Sequence, residues 1–245
     1  MAGTAVQRRL TWLPATLTGG VAETARVRRL SFEVPGWTGH LPGQHVDLRL
    51  TAEDGYTVQR SYSIASAPEE PAVSLLVERL PDGEVSPYLT DELRAGDVLE
   101  LRGPIGGYFV WSARADSERG ERRPVQLVAG GAGVAPFLSM LEHRRRTGGT
   151  TPVRLLYSAR SAEDLLGRGS LGPETTVTLT RAAPPGWTGP TRRVDRALLE
   201  EHAFGPEARP RTFVCGPTYF VEDVATALVD LGHDPSAVRL ERFGG

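Results

Sequence analysis

One cysteine, Cys215, stands in a chain of 245 residues. That excludes a disulfide within the chain, a four-cysteine zinc site and an iron–sulfur cluster held by this chain alone. No metal site is expected. Lysine is missing altogether, so all 28 basic residues are arginine, and an arginine at any chosen position carries little weight by itself. The net charge of −2 gives no bulk attraction to nucleic acid or anionic lipid. No apolar run approaches the ~20 residues of a membrane span. The opening MAGTAVQRRLTWLPATLTGG lacks the continuous apolar core of a signal peptide. The expectation is a soluble, cytoplasmic protein with neither nucleic acid nor membrane as partner.

What is present is ordinary in bulk and ordered along the chain. Hydrophobic residues make up 40% and charged residues 24%, and the length suits two compact domains. From Leu10 to about Val110 the pattern is strand-rich: ATLTGGVAETARVRRLSFEV around a turn, then QHVDLRL, QRSYSIAS, VSLLVERL and DVLELRG. Such short strands predict a six-stranded antiparallel β-barrel. One helix interrupts it, with Ser86 as N-cap and Pro87 in the first position. SARADSERGERRP, residues 112–124, reads as a surface connection. After it strands and helices alternate: PVQLVAG, VRLLYSA, VTLTR, RTFVCG and VRLERF are strands. A helix carries Val134, Phe137, Leu138 and Leu141 on one stripe, and others open at Ser161, over VDRALLEEH and from Pro217. This predicts a Rossmann-like parallel sheet with helices on both faces. The domains are expected at residues 8–112 and 124–245.

Four stretches carry candidate chemistry. In QRSYSIASAP, alternation puts Arg60, Tyr62 and Ile64 on one face and Ser61, Ser63 and Ala65 on the other. A cation and a phenol beside a core residue suit an edge strand, or a strand against which something flat and anionic lies. In AGGAGVAPFLSM, Gly131, Gly133 and Pro136 let backbone pass close to a ligand at a helix N-terminus. Proline replaces the third glycine of the dinucleotide fingerprint, so that motif does not transfer directly. VCGPTYF ends a strand of the parallel sheet, where Cys215 is either a small buried thiol or part of a ligand rim. LPDGEVSPYL places Gly83 before the capped helix.

The ordered set R-x-Y-S, G-x-x-S, G-P-x-G, GGxGxxP and CGP resembles the ferredoxin–NADP reductase family from about Leu10 to Phe243. The resemblance implies an FAD-binding barrel without a fused iron–sulfur domain and an NAD(P)-binding sheet. Tyr62 would lie on the isoalloxazine, Arg60 on the flavin pyrophosphate and Ser63 at flavin N5, with Ser61, Val77, Gly83, Val85 and Ser86 completing the flavin site. FAD fits better than FMN. Gly131, Gly133, Val134 and Pro136 would line the nicotinamide dinucleotide, and Cys215, Gly216 and Pro217 the nicotinamide ring. Ser63, Cys215 and Phe243 are the residues expected at the reacting atoms, Phe243 covering the flavin on a Gly244-Gly245 hinge or else finishing the core. Arg160, Arg181 and Arg193 (beside Arg192) would surround a 2′-phosphate, favouring NADPH, while Glu163 and Asp164 keep NADH open. The implied activity is an NAD(P)H-dependent flavin oxidoreductase passing electrons to a separate ferredoxin or flavodoxin-type carrier. A reductase of free flavin, quinone or iron chelates and an electron-transfer subunit of a larger complex are the alternatives. Arg26, Arg28, Arg29 and Arg144 to Arg146 either dock an acidic carrier or are solvated faces.

Overall fold

A computed structural model describes residues 10–52 and 54–243. Residues 8 and 245, the outer domain edges expected above, and the Gly244-Gly245 hinge lie outside the described residues.

Six antiparallel strands form the first sheet: β1 (Trp12–Ala22), β2 (Val27–Glu33), β3 (His45–Thr51), β4 (Thr57–Ser63), β5 (Val73–Glu78) and β6 (Val98–Ile105). Their order is β4-β3-β6-β1-β2-β5. A single antiparallel bridge, Ile64↔Leu75, joins the two outer strands and closes the barrel. Alternation does what period two demands: Leu30, Phe32, Leu48, Leu75 and Leu101 point inward and are fully enclosed. VSLLV of β5 is buried on both faces. Val73, Leu75 and Val77 fill the barrel, whereas Leu76 joins a second core shared with the rest of the chain.

The helix expected at Ser86 is a short π-helix, Tyr88–Glu92, with Pro87 at its cap. Ser86 does not cap it, because its hydroxyl accepts the Leu80 N–H at 3.0 Å. The Thr90 hydroxyl donates to the Ser86 carbonyl at 2.9 Å, taking an acceptor that an ordinary first turn would use. At the other end Arg28 donates to the carbonyls of Leu89 and Leu93, which satisfies orphan acceptors of the last turn.

The second sheet is parallel: β7 (Val125–Gly130), β8 (Val153–Ser161), β9 (Thr175–Ala182), β10 (Arg211–Pro217) and β11 (Val238–Phe243), in the order β11-β10-β7-β8-β9. The polar connection is no plain surface loop. It holds α1 (Ala113–Arg119), capped by Ser112, which accepts the Ala115 N–H. Helix α2 (Ala135–Arg146) covers one face of the sheet, and α3 (Arg196–His202) and α4 (Thr218–Asp230) pack on the other. No helix opens at Ser161. Ser161 donates to Asp164, the fully buried Tyr157 hydroxyl accepts the Leu166 N–H, and Gly167 turns left-handed at φ 62°. With Leu165 and Leu166 both drawn inward, the segment cannot keep a helical face.

The two halves share one apolar core. Val27, Ala65, Leu76, Phe109 and Trp111 pack with residues of α2, β7 and β10, and Phe109 meets the Phe213 ring edge-on at 5.3 Å. Buried within this frame, Asp116 accepts the Trp111 indole N–H at 2.7 Å and an Arg211 guanidinium N–H at 2.8 Å. Burial works to raise its carboxyl, but the Arg211 and Trp111 hydrogen bonds outweigh it and hold it below the ordinary range. Asp116→Ala leaves the Trp111 indole N–H without its acceptor and the Arg211 charge without its carboxylate. Among the described residues only the Arg123 carbonyl, at 3.3 Å, then remains to Arg211. The expected loss in urea-unfolding stability is ~3 kcal/mol or more, and a change below about 1 kcal/mol excludes this role.

Candidate functional site

Beyond the Ile64↔Leu75 bridge, β4 and β5 carry no further pairing with one another among the described residues. Tyr62 lies beside this open edge, half-buried, packed against the barrel core and, among the described residues, with no hydrogen bond to its hydroxyl. Burial pushes the phenol up to about 12, against the nearby Arg60 charge, so it stays protonated and neutral. Arg60 is exposed and pairs with exposed Glu84 at 3.3 Å, a contact of small worth that a better anion can replace. A ring at an open strand edge beside an exposed guanidinium, held by the Gln59 carbonyl at 2.8 Å and by Glu84, fits a flavin and its diphosphate.

The other expected flavin residues divide. Ser61 faces away from Arg60, donating to Asp47 at 2.7 Å, where Arg102 also donates at 2.6 Å. Ser63 pairs with His45 across the ladder at the end of β4. Val77 is wholly enclosed in the barrel core, so its side chain is not brought to the site. Val85 and Ser86 are buried, and Gly83 makes the turn before them, its N–H donating to the Leu80 carbonyl at 3.0 Å.

A cleft of about 190 Å3 runs along the carboxyl ends of the parallel strands, lined by Gly130, Gly131, Ser158, Arg160, Thr180, Pro217 and Phe243. Thr24, Arg26 and Glu78 close it from the barrel. Ligands in open parallel sheets gather at this end. Gly131 has φ +55° and open space where a side chain would stand, whereas a Cβ on Gly133 would lie 2.3 Å from the Cys215 carbonyl oxygen. One glycine thus keeps the floor clear and the other lets the turn seat against β10. Val134 and Pro136 are buried behind it. This cradle fits the middle of a dinucleotide, since the cavity is smaller than the roughly 300–1,000 Å3 of whole ligand sites. Phe243, at 37% exposure, stands at one end.

Cys215 is buried beside Gly216 and Pro217 on β10. Burial, and then Glu241, push its thiol well up. Glu241 was not singled out from the sequence. It stands level with Cys215 in the β10–β11 register, and burial pushes its carboxyl up to about 7. The signal was available in VRLERF, where alternation sets Glu241 on the face opposite Leu240.

Arg160, Arg181 and Arg193 are exposed and have no acidic partner among the described residues, and Arg160 lines the cleft. Of the arginines considered for carrier docking, most are spent within the chain. Arg28 holds the π-helix, Arg29 pairs with Glu23 at 2.6 Å, Arg145 and Arg146 share Glu142, and Arg144 donates to the Thr151 carbonyl. Among the described residues no group of His, Cys, Asp and Glu is placed to hold a metal, and no helix is long and apolar enough to cross a membrane.

The profile of the oxidoreductase FAD-binding domain matches residues 14–110, and that of the oxidoreductase NAD-binding domain matches residues 127–226. The chain is 31% identical over 209 residues to the toluate 1,2-dioxygenase electron transfer component of Pseudomonas putida, covering 83% of this chain and 58% of that one. It is 33% identical to the glycine betaine monooxygenase reductase subunit of Chromohalobacter salexigens, over 91% of this chain and 62% of the other. It therefore spans less than two thirds of the length of both. NADH-cytochrome b5 reductase 1 of Aspergillus terreus is 33% identical over 78% of this chain and 67% of its own. Among solved structures, a cytochrome P450 reductase of Amycolatopsis has a TM-score of 0.81 at 25% identity, covering 98% of this chain and 73% of that one. A ferredoxin NADP+ reductase of Neisseria gonorrhoeae shares the fold, with a TM-score of 0.78 at 22% identity over 96% and 99%.

The raised Glu241 carboxyl has a consequence for stability. A folded state that favours the proton is most stable at low pH and loses that contribution as pH climbs from 4.5 to about 7. Unfolding midpoints measured across this range should fall in the parent protein and stay flatter in Glu241→Gln. Parallel curves for the two proteins exclude the assignment.

Proposed function

Since the chain belongs to the ferredoxin reductase-like oxidoreductases that join an FAD-binding to an NAD-binding domain, we propose that it is an NAD(P)H-dependent reductase. It oxidises NADPH in preference to NADH and delivers electrons to a separate protein, a ferredoxin or flavodoxin-type carrier or an oxygenase component. The observation that carries this reading is the meeting, across one shared core, of the open β4–β5 edge and the glycine-floored cleft. Two relatives are named as an electron transfer component and a reductase subunit of oxygenase systems, which supports a protein partner over a free small acceptor.

FAD, when bound, would supply the redox chemistry, that of hydride acceptance and single-electron release. The chain supplies position. Tyr62 offers a neutral ring for stacking and Arg60 a planar fork for the diphosphate. Gly131 keeps the cleft floor low enough for backbone to meet phosphate, and Gly133 lets that turn seat against β10. Gly216 and Pro217 bound the nicotinamide end, where orientation of the hydride-bearing carbon counts for most of the rate. Burial raises the Glu241 carboxyl to about 7, so near neutral pH it can exchange a proton beside Cys215. Phe243 covers the same end and moves aside for nicotinamide. Arg160, Arg181 and Arg193, free of acidic partners, suit a 2′-phosphate.

An anaerobic titration of the yellow protein with NADPH and NADH in parallel tests the reading, and bleaching by neither overturns it. Tyr62→Ala should weaken FAD by about tenfold or more and shift the flavin absorbance, followed by fluorescence titration. Arg181→Ala should raise KM for NADPH by about tenfold or more and leave KM for NADH unchanged. Equal loss with both dinucleotides removes the phosphate pocket.

A further inference from the structure

Arg26 sits in the tight turn between β1 and β2, where the Thr24 hydroxyl accepts the N–H groups of Arg26 and Val27. The hairpin is tied across to the second domain by Glu23, whose carboxylate accepts the Gly167 N–H at 3.0 Å. This stiff arm carries the guanidinium into the cleft, opposite the sheet. There Arg26 lies 3.7 Å from Glu78 and 3.6 Å from Asp164. Both separations exceed hydrogen-bond length, so its N–H donors are unspent.

The sheet order gives the cleft a direction. From β11 to β9 its lining runs Phe243, Pro217, Gly131, then Ser158 and Arg160, then Thr180. A nicotinamide dinucleotide laid along it, nicotinamide at Pro217 and adenosine at Thr180, has its diphosphate at the middle, over β7 and β8. Asp164 follows β8, and Arg26 faces it from the barrel. We propose that Arg26 binds the diphosphate of NAD(P)H from the barrel side, exchanging two loose carboxylate contacts for a forked one to phosphate, and so clamps the two domains on the dinucleotide. Glu78 and Asp164 hold the guanidinium in place until then. This rests on the proposed use of the cleft for NAD(P)H.

The test compares two hydride donors on the flavin-loaded protein: NADPH, and 1-benzyl-1,4-dihydronicotinamide, which has no phosphate. Arg26→Ala should lower kcat/KM for NADPH by about 10- to 100-fold and leave that for the benzyl compound unchanged. Arg26→Lys should recover part of the loss, and the salt dependence of the NADPH KM should become shallower in Arg26→Ala. An unchanged NADPH rate, or equal loss with both donors, overturns the role of Arg26 while leaving the cleft reading intact. A parent protein that oxidises neither NADPH nor NADH overturns the cleft reading and this inference with it.

Discussion

The apolar core shared by the two domains is the constraint on which the rest depends. Phe109 and Trp111 reach from the end of the barrel into the space under α2 and β10, and Val27, Ala65 and Leu76 cover the barrel's side of it. Cores of this density do not tolerate sliding. The barrel whose β4 bears Arg60 and Tyr62 is therefore fixed in position relative to the rim bearing Gly131, Cys215 and Phe243. The proposed hydride transfer would depend on that fixed relation more than on a specialised acid or base.

Polar contacts around this core set its register. Ser139 of α2 donates to the Ser66 carbonyl at 2.7 Å, and the buried His143 links Glu69, at 2.9 Å, to Ser112, at 3.0 Å. These pairings cross from one domain to the other and are buried or partly buried, so they discriminate between dockings that apolar contact alone would allow. Asp116 does the same on the far side through α1. The polar connection is thus part of the joint between domains.

Much of the architecture was legible because period two and the strand–helix alternation are strong signals. Leu48 and Leu101, and the five strands of the parallel sheet, follow from them. Three local features were not. Ser86 has the chemistry of a cap but spends its hydroxyl on Leu80, a contact set by a turn no pattern announces. The S-A-E-D stretch at Ser161 has a helix start signal without length to follow it, since Gly167 and the Tyr157 hydroxyl claim the backbone. Asp116 sits in a run of charges that reads as solvated, yet it is fully buried because Arg211, 95 positions later, comes to meet it. At the site, motif residues such as Tyr62 and Gly131 could be found by pattern, whereas Arg26 and Glu241 acquire meaning only through long-range placement.

Cys215 has one more implication. Sulfur is oxidised mainly as the thiolate. The only sulfhydryl here is enclosed and held strongly in its protonated form. The rim of the parallel sheet therefore carries a small, soft atom that resists sulfenic acid formation, and peroxide reaching the cleft would leave that position undamaged.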